Sequence, residues 1–155
     1  MTLKLELDKI YDLEIPAANL AFGDVKGEEM IEMYKDGRAT APPMQLQITK
    51  WFPELTYVNA TGYDHVDTAG IRYEAKGFTG ASGANFAPSK MIGSGRTFKG
   101  DEAREQARGL LYIFYDITEF PRVPLICRAG KELVKVYPNM KSGKGVKAKA
   151  KLFNG

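Results

Sequence analysis

The sequence predicts an α+β fold, a central mixed β-sheet flanked by helices, and three observations carry that expectation. The segment Ile71-Arg-Tyr-Glu-Ala-Lys76 alternates apolar and polar residues, as a half-buried strand does. The run Leu110–Ile117 is apolar and aromatic throughout, which suits a strand buried on both faces. Residues 28–36 and 101–109 instead carry helical signals.

At 155 residues the chain is read as a single domain. Three parts are expected: a helical region over 1–55 that supplies a dimer contact, a catalytic α/β core over 56–137, and a basic C-terminal segment over 138–155. Along 28–36, Met30, Ile31, Met33 and Tyr34 form the apolar side of a short helix that Gly37 stops. Pro42-Pro43 is a break, and 44–52 forms a second helix that ends at Pro53. Thr56–Val58 is β-prone, and Asn59–Gly62 is turn-like. Residues 79–100, with five glycines, form a long loop region of the kind that carries function. Asp101 and Glu102 favour a helix N-terminus, with Arg104 and Arg108 following. Val123–Arg128 and Leu133–Tyr137 are expected to pair as a hairpin closed by Ala129-Gly130-Lys131. Trp51, Tyr112, Phe114 and Tyr115 are core aromatics.

Composition excludes several classes. One cysteine and one histidine cannot form an internal disulfide or a Cys/His zinc site. Cys127 sits in an apolar run and is expected to be a small buried hydrophobe. No apolar run is long enough to span a membrane, and the acidic, polar N-terminus does not resemble a signal peptide, so a cytoplasmic protein is expected. The net charge of +3 hides an asymmetry. Residues 1–36 hold nine acids against four bases, whereas 120–155 hold nine bases against one acid, Glu132. Such a split fits a C-terminal half that faces a polyanion, and equally a solvated basic tail.

Chemistry concentrates between Asp64 and Lys76. On a strand, Glu74 and Lys76 share one face, while Tyr73 and Ala75 turn to the core. Asp64 lies ten residues before Glu74, across a turn at Ala69-Gly70, so a returning hairpin brings its carboxylate to the same place. Two carboxylates suit Mg²⁺, which takes one or two of them plus phosphate oxygens. The Ala75 carbonyl is a further candidate ligand. A lysine beside the attacking water orients it or stabilises the pentacovalent charge. The expected reaction is direct attack of water on a phosphodiester, with no covalent enzyme intermediate.

The stretch Asp64-x-x-Asp67-x-Ala69-Gly70-x-x-Tyr73-Glu74-x-Lys76 is similar to the active-site segment of the PD-(D/E)xK nuclease superfamily, in particular of the PvuII-type type II restriction endonucleases. The similarity covers about residues 62–80. It implies a restriction-endonuclease-like core, Asp64 and Glu74 as metal ligands, Lys76 as the catalytic lysine, and a homodimer that cleaves double-stranded DNA with Mg²⁺, Mn²⁺ substituting. Asp67 matches in position but is expected to serve the turn, or to support the ligands from behind, rather than to bind the ion. Where those enzymes carry base-reading histidines soon after the lysine, this chain has Phe78–Phe86 with none.

Within that stretch, Thr79, Ser82 and Asn85 are candidates to contact bases, or else belong to a structural loop. Ser89, Lys90, Arg96 and Lys99 fit phosphate contacts, with Arg96 also suited to guanine. The segment lacks the Gly-Lys-Ser/Thr of a P-loop. Lys144, Lys147, Lys149 and Lys151 form a lysine stripe if extended, a flexible clamp if mobile, or a guard on an edge strand. His65 is expected to be structural or solvent-facing. Glu28, Glu29 and Glu32 either add a helical carboxylate to the site or form a solvated face. Three functions stay open: a restriction-like endonuclease, a structure-selective nuclease of the junction-resolvase or repair type, and a non-catalytic nucleic-acid-binding module.

Overall fold

The structure, a computed structural model, describes residues 2–154. Six strands form one mixed sheet in the order β1-β8-β7-β6-β5-β4. They are β1 (Ile10–Glu14), β4 (Thr56–Ala60), β5 (Tyr63–Val66), β6 (Arg72–Phe78), β7 (Leu111–Asp116) and β8 (Arg122–Ala129). Only β6 and β7 run parallel, and the crossover between them contains the long loop and a helix. A separate two-stranded ribbon pairs β2 (Ala21–Phe22) with β3 (Val25–Lys26). The helices are α1 (Glu28–Tyr34), α2 (Gly37–Trp51), α3 (Gly100–Arg108), α4 (Gly130–Val136) and α5 (Val146–Asn154).

Strand alternation sorts the core into two layers. Tyr73, Ala75, Ile113, Tyr115, Val123, Leu125 and Cys127 face α1 and α2, where Met30, Met44, Ile48 and Trp51 meet them. Phe78, Tyr112, Phe114 and Ile126 face the other way, onto Ala103 and Ala107 of α3, Leu133 and Val134 of α4, and Leu152 and Phe153 of α5. Burial on both faces explains why Leu110–Ile117 reads as an unbroken apolar run. Glu74 and Lys76 therefore emerge on the α3–α4–α5 side.

Several expectations are corrected. Residues 1–55 are not purely helical: β1 adds the edge of the sheet and the β2–β3 ribbon precedes α1. Gly37 does not stop a helix; it begins α2, capped by Asp36, whose carboxylate accepts from the Arg38 amide at 3.0 Å. Pro42 and Pro43 lie inside α2. Thr40, Met44, Ile48 and Trp51 are all buried along one stripe of that helix, and this packing outweighs the donors the prolines lack.

Leu133–Tyr137 is not a strand. It belongs to α4 and its end, with Leu133, Val134 and Tyr137 buried and Lys131, Glu132, Lys135 and Val136 exposed, a helical period. Gly130 permits that start: its amide donates to the Leu110 carbonyl at 2.9 Å, and an added Cβ would lie 1.8 Å from the Ala107 oxygen. Gly130→Ala is accordingly expected to destabilise the protein by more than about 2 kcal/mol, read as a lower midpoint in thermal unfolding.

Lys147, Lys149 and Lys151 lie neither on a strand nor on a mobile tail but on α5, and Lys144 lies just before that helix. That helix is seated by Phe153 against Phe78 and by the Arg128 guanidinium on the Leu152 carbonyl at 2.9 Å. Among the described residues, no helix is long and apolar enough to cross a membrane.

Candidate active site

The site begins with sheet register. His65 pairs with Tyr73 and Val66 with Arg72 across β5 and β6. One further step along the same antiparallel ladder sets Asp64 opposite Glu74, so the two acids are cross-strand neighbours on one face. The ladder is not closed there by a backbone partner. The Ala75 amide donates instead to Asp64 Oδ2 at 3.0 Å. A strand residue's N–H and C=O leave on the same edge, so the Ala75 carbonyl also faces the Asp64 side.

Two features hold this hairpin. Asp67 accepts from the Ala69 and Ile71 amides, each at 2.9 Å, and from the Tyr73 hydroxyl at 2.9 Å. It is the turn residue the sequence suggests. His65 is fully buried on the opposite face, its Nε2 2.8 Å from the Gln45 carbonyl of α2. The histidine thus ties the strand bearing Asp64 to a helix, and its role is structural.

Glu74 and Lys76 share one face of β6, with Lys76 Nζ 3.5 Å from Glu74 Oε1 and both side chains only 16% exposed. Burial, with the Asp64 charge and a hydrogen bond to Asp64 adding to it, raises the Glu74 carboxyl to about 7, against the opposing pull of the Lys76 ammonium. Two acids facing each other in a poorly solvated place, with one amine beside them, are an arrangement that a divalent cation relieves. Among the described residues no group of three or more His, Cys, Asp or Glu converges. The protein therefore offers two carboxylates and one carbonyl, a hard-oxygen set that fits Mg²⁺. Glu28, Glu29 and Glu32 do not join it, because α1 packs on the other face of the sheet.

A cleft of about 580 Å³ opens over the acids. Asp64 and Glu74 line it, as do Ser89 and Lys90 from the long loop. No protein-family model, curated protein or solved structure matches this chain.

The other sequence candidates separate. The Thr79 and Ser82 hydroxyls lie 2.9 Å apart and close their own turn, with the Ser82 amide on Thr79 Oγ1. Asn85 Oδ1 accepts from the Ala87 amide at 3.3 Å. Arg96 donates to the Ser89 and Ile92 carbonyls at 2.6 and 3.2 Å, which shapes the loop that presents Ser89. Lys90 pairs with Glu102 at 3.0 Å on the surface, and Lys99 is exposed just before α3. Lys144 and Lys147 are exposed, but Lys149 Nζ lies 3.2 Å from the buried Asp116 carboxylate and so helps to seat α5. Sequence reasoning missed Tyr63, Arg72 and Gln106, which also line the cleft. For Arg72 a signal existed: the alternation that pairs Glu74 with Lys76 places it on the same face.

Proposed function

We propose that this protein is a Mg²⁺-dependent endonuclease of the PD-(D/E)xK kind that hydrolyses phosphodiester bonds of double-stranded DNA as a homodimer inside the cell. The observation that carries it is the cross-strand pair Asp64 and Glu74 with the Ala75 carbonyl on the same edge and the Lys76 ammonium beside Glu74. Asp64, Glu74 and the Ala75 carbonyl would hold the ion. When bound there, Mg²⁺ supplies charge neutralisation at the phosphate and a bound water of lowered pKa. The chain's own groups do the rest. Lys76 orients the attacking water and stabilises negative charge that develops on the phosphoryl oxygens. Asp67 and His65 keep the acid-bearing hairpin in register. Lys144 and Lys147, near or on the helix that packs against the same side of the sheet, add attraction to the DNA backbone. The dimer contact is assigned to the first 55 residues, where Phe22 and Met33 are exposed apolar side chains.

One observation favours structure-selective cleavage as a second reading. The Thr79 and Ser82 hydroxyls bond to each other and Arg96 bonds to its own loop, so three base-reading candidates are already engaged. Digestion of supercoiled plasmid with Mg²⁺, followed by end mapping, tests both. Discrete linear fragments are expected from a restriction-like enzyme, and preference for branched over linear DNA from a structure-selective one. No nicking at any Mg²⁺ or Mn²⁺ concentration contradicts the nuclease proposal and favours a non-catalytic DNA-binding module.

A further inference from the structure

The cleft over Asp64 and Glu74 contains a cation that the chemistry above leaves unused. Arg72 pairs with Val66 in the β5–β6 ladder and points to the same face as Glu74, two residues on. Its guanidinium carbon lies 5.0 Å from the centre of the Tyr63 ring. Both residues line the cleft with the two acids. Among the described residues Arg72 makes no ion pair: Glu74, its neighbour on the face, is taken by Lys76. Arg38, Arg108 and Arg122, also exposed, each hold a carboxylate, and Arg96 is held by the carbonyls of its own loop.

We propose that Arg72 is a phosphate-binding residue of this site, held on the Tyr63 ring so that its donors meet a backbone phosphate next to the one being cleaved. A guanidinium presents a fixed fork of N–H donors that matches two phosphate oxygens. An aromatic platform restricts its rotamers, which reduces the ordering cost of each contact. A guanidinium with no carboxylate partner, in a cleft that two acids also line, keeps its donors free for a phosphate. Ser89 and Lys90, across the same cleft, complete a polar lining suited to the backbone rather than to bases. The assignment of the neighbouring phosphate as the one cleaved rests on the nuclease proposal; the phosphate contact itself does not.

The test separates the two. Binding of a short DNA duplex is measured against salt concentration in Mg²⁺, using Lys76→Ala protein so that the duplex survives. Adding Arg72→Ala is expected to reduce the slope of log affinity against log salt by about 0.9, the loss of one phosphate contact. Arg72→Lys keeps the slope while lowering affinity, because it retains charge but not the fork. Tyr63→Phe leaves binding unchanged, and Tyr63→Ala weakens it. In the otherwise unaltered enzyme, Arg72→Ala raises KM for the duplex about tenfold with kcat nearly constant. An unchanged salt slope in Arg72→Ala, or no measurable duplex binding at all, overturns the Arg72 assignment. If the slope falls but the unaltered protein never cuts DNA in Mg²⁺ or Mn²⁺, the phosphate contact stands and the nuclease proposal fails. If the protein cuts and the slope does not change, the reverse holds.

Discussion

Lys76→Ala is expected to lower the rate of plasmid cleavage by at least about 10²–10³-fold, the cost of removing one donor aimed at transition-state charge. Duplex binding should change little, because Lys76 is mostly buried at the acids rather than displayed to the DNA backbone. The loss has a second component. The Lys76 ammonium is what opposes the upward shift of the Glu74 carboxyl. Without it, Glu74 holds its proton to higher pH, and metal binding requires more alkaline conditions. Residual cleavage by Lys76→Ala is therefore expected to rise with pH more steeply than cleavage by the unaltered protein. Lys76→Arg is not expected to rescue, since a planar fork cannot replace a compact ammonium in that space. Cleavage by Lys76→Ala at near-normal rate would remove this residue from the chemistry.

The second large effect is one of stability. Glu74 is raised from its ordinary 4.5 to about 7 in the folded protein, chiefly by burial. The sign follows from linkage. A folded pKa above the unfolded one means that the folded state binds the proton more tightly. The corresponding stability is fully present below pH 4.5 and is lost as pH rises through 7. The shift is equivalent to about 3 kcal/mol. Glu74→Gln removes the titration but keeps the shape. Metal-free Glu74→Gln is thus expected to gain most of that, about 2–3 kcal/mol, relative to the unaltered protein as pH goes from 5 to 8, seen in denaturant unfolding at each pH. The same variant should lose cleavage and show no thermal stabilisation by Mg²⁺, whereas the unaltered protein is stabilised by the ion at pH 8. A buried carboxyl pair of this kind destabilises its own fold unless a cation or a proton is bound there. A stability difference that does not vary with pH would show that the Glu74 carboxyl is not so strained.

Much of the fold was legible where one periodicity acted alone. The alternation of Ile71–Lys76, the apolar run of β7 and the acidic start of α3 each reported the element that forms. The misreadings came where two signals competed. In Leu133–Tyr137 two valines favour a strand, but the spacing of Leu133, Val134 and Tyr137 fits a helix on the sheet, and packing decided. In α2 the proline pair masked a stripe of four buried residues. In Lys147–Lys151 every second residue is charged, yet Leu152 and Phe153 anchor a helix.

The site divides in the same way. Glu74 and Lys76 could be placed together because they lie on one strand. For Asp64 the Ala69-Gly70 turn signalled a returning strand, but which of its residues stands opposite Glu74 needed the β5–β6 register. Thr79, Ser82 and Arg96 looked like free donors because their partners are backbone and side-chain groups of their own turns, invisible to spacing.

Whether Asp64 and Glu74 share one divalent ion is read from Mn²⁺ titration followed by electron paramagnetic resonance at pH 8. Mn²⁺ is expected to bind the unaltered protein, to be displaced by excess Mg²⁺, and to be lost in both Asp64→Ala and Glu74→Gln. Absence of bound Mn²⁺, or binding that survives both substitutions, would contradict a shared ion.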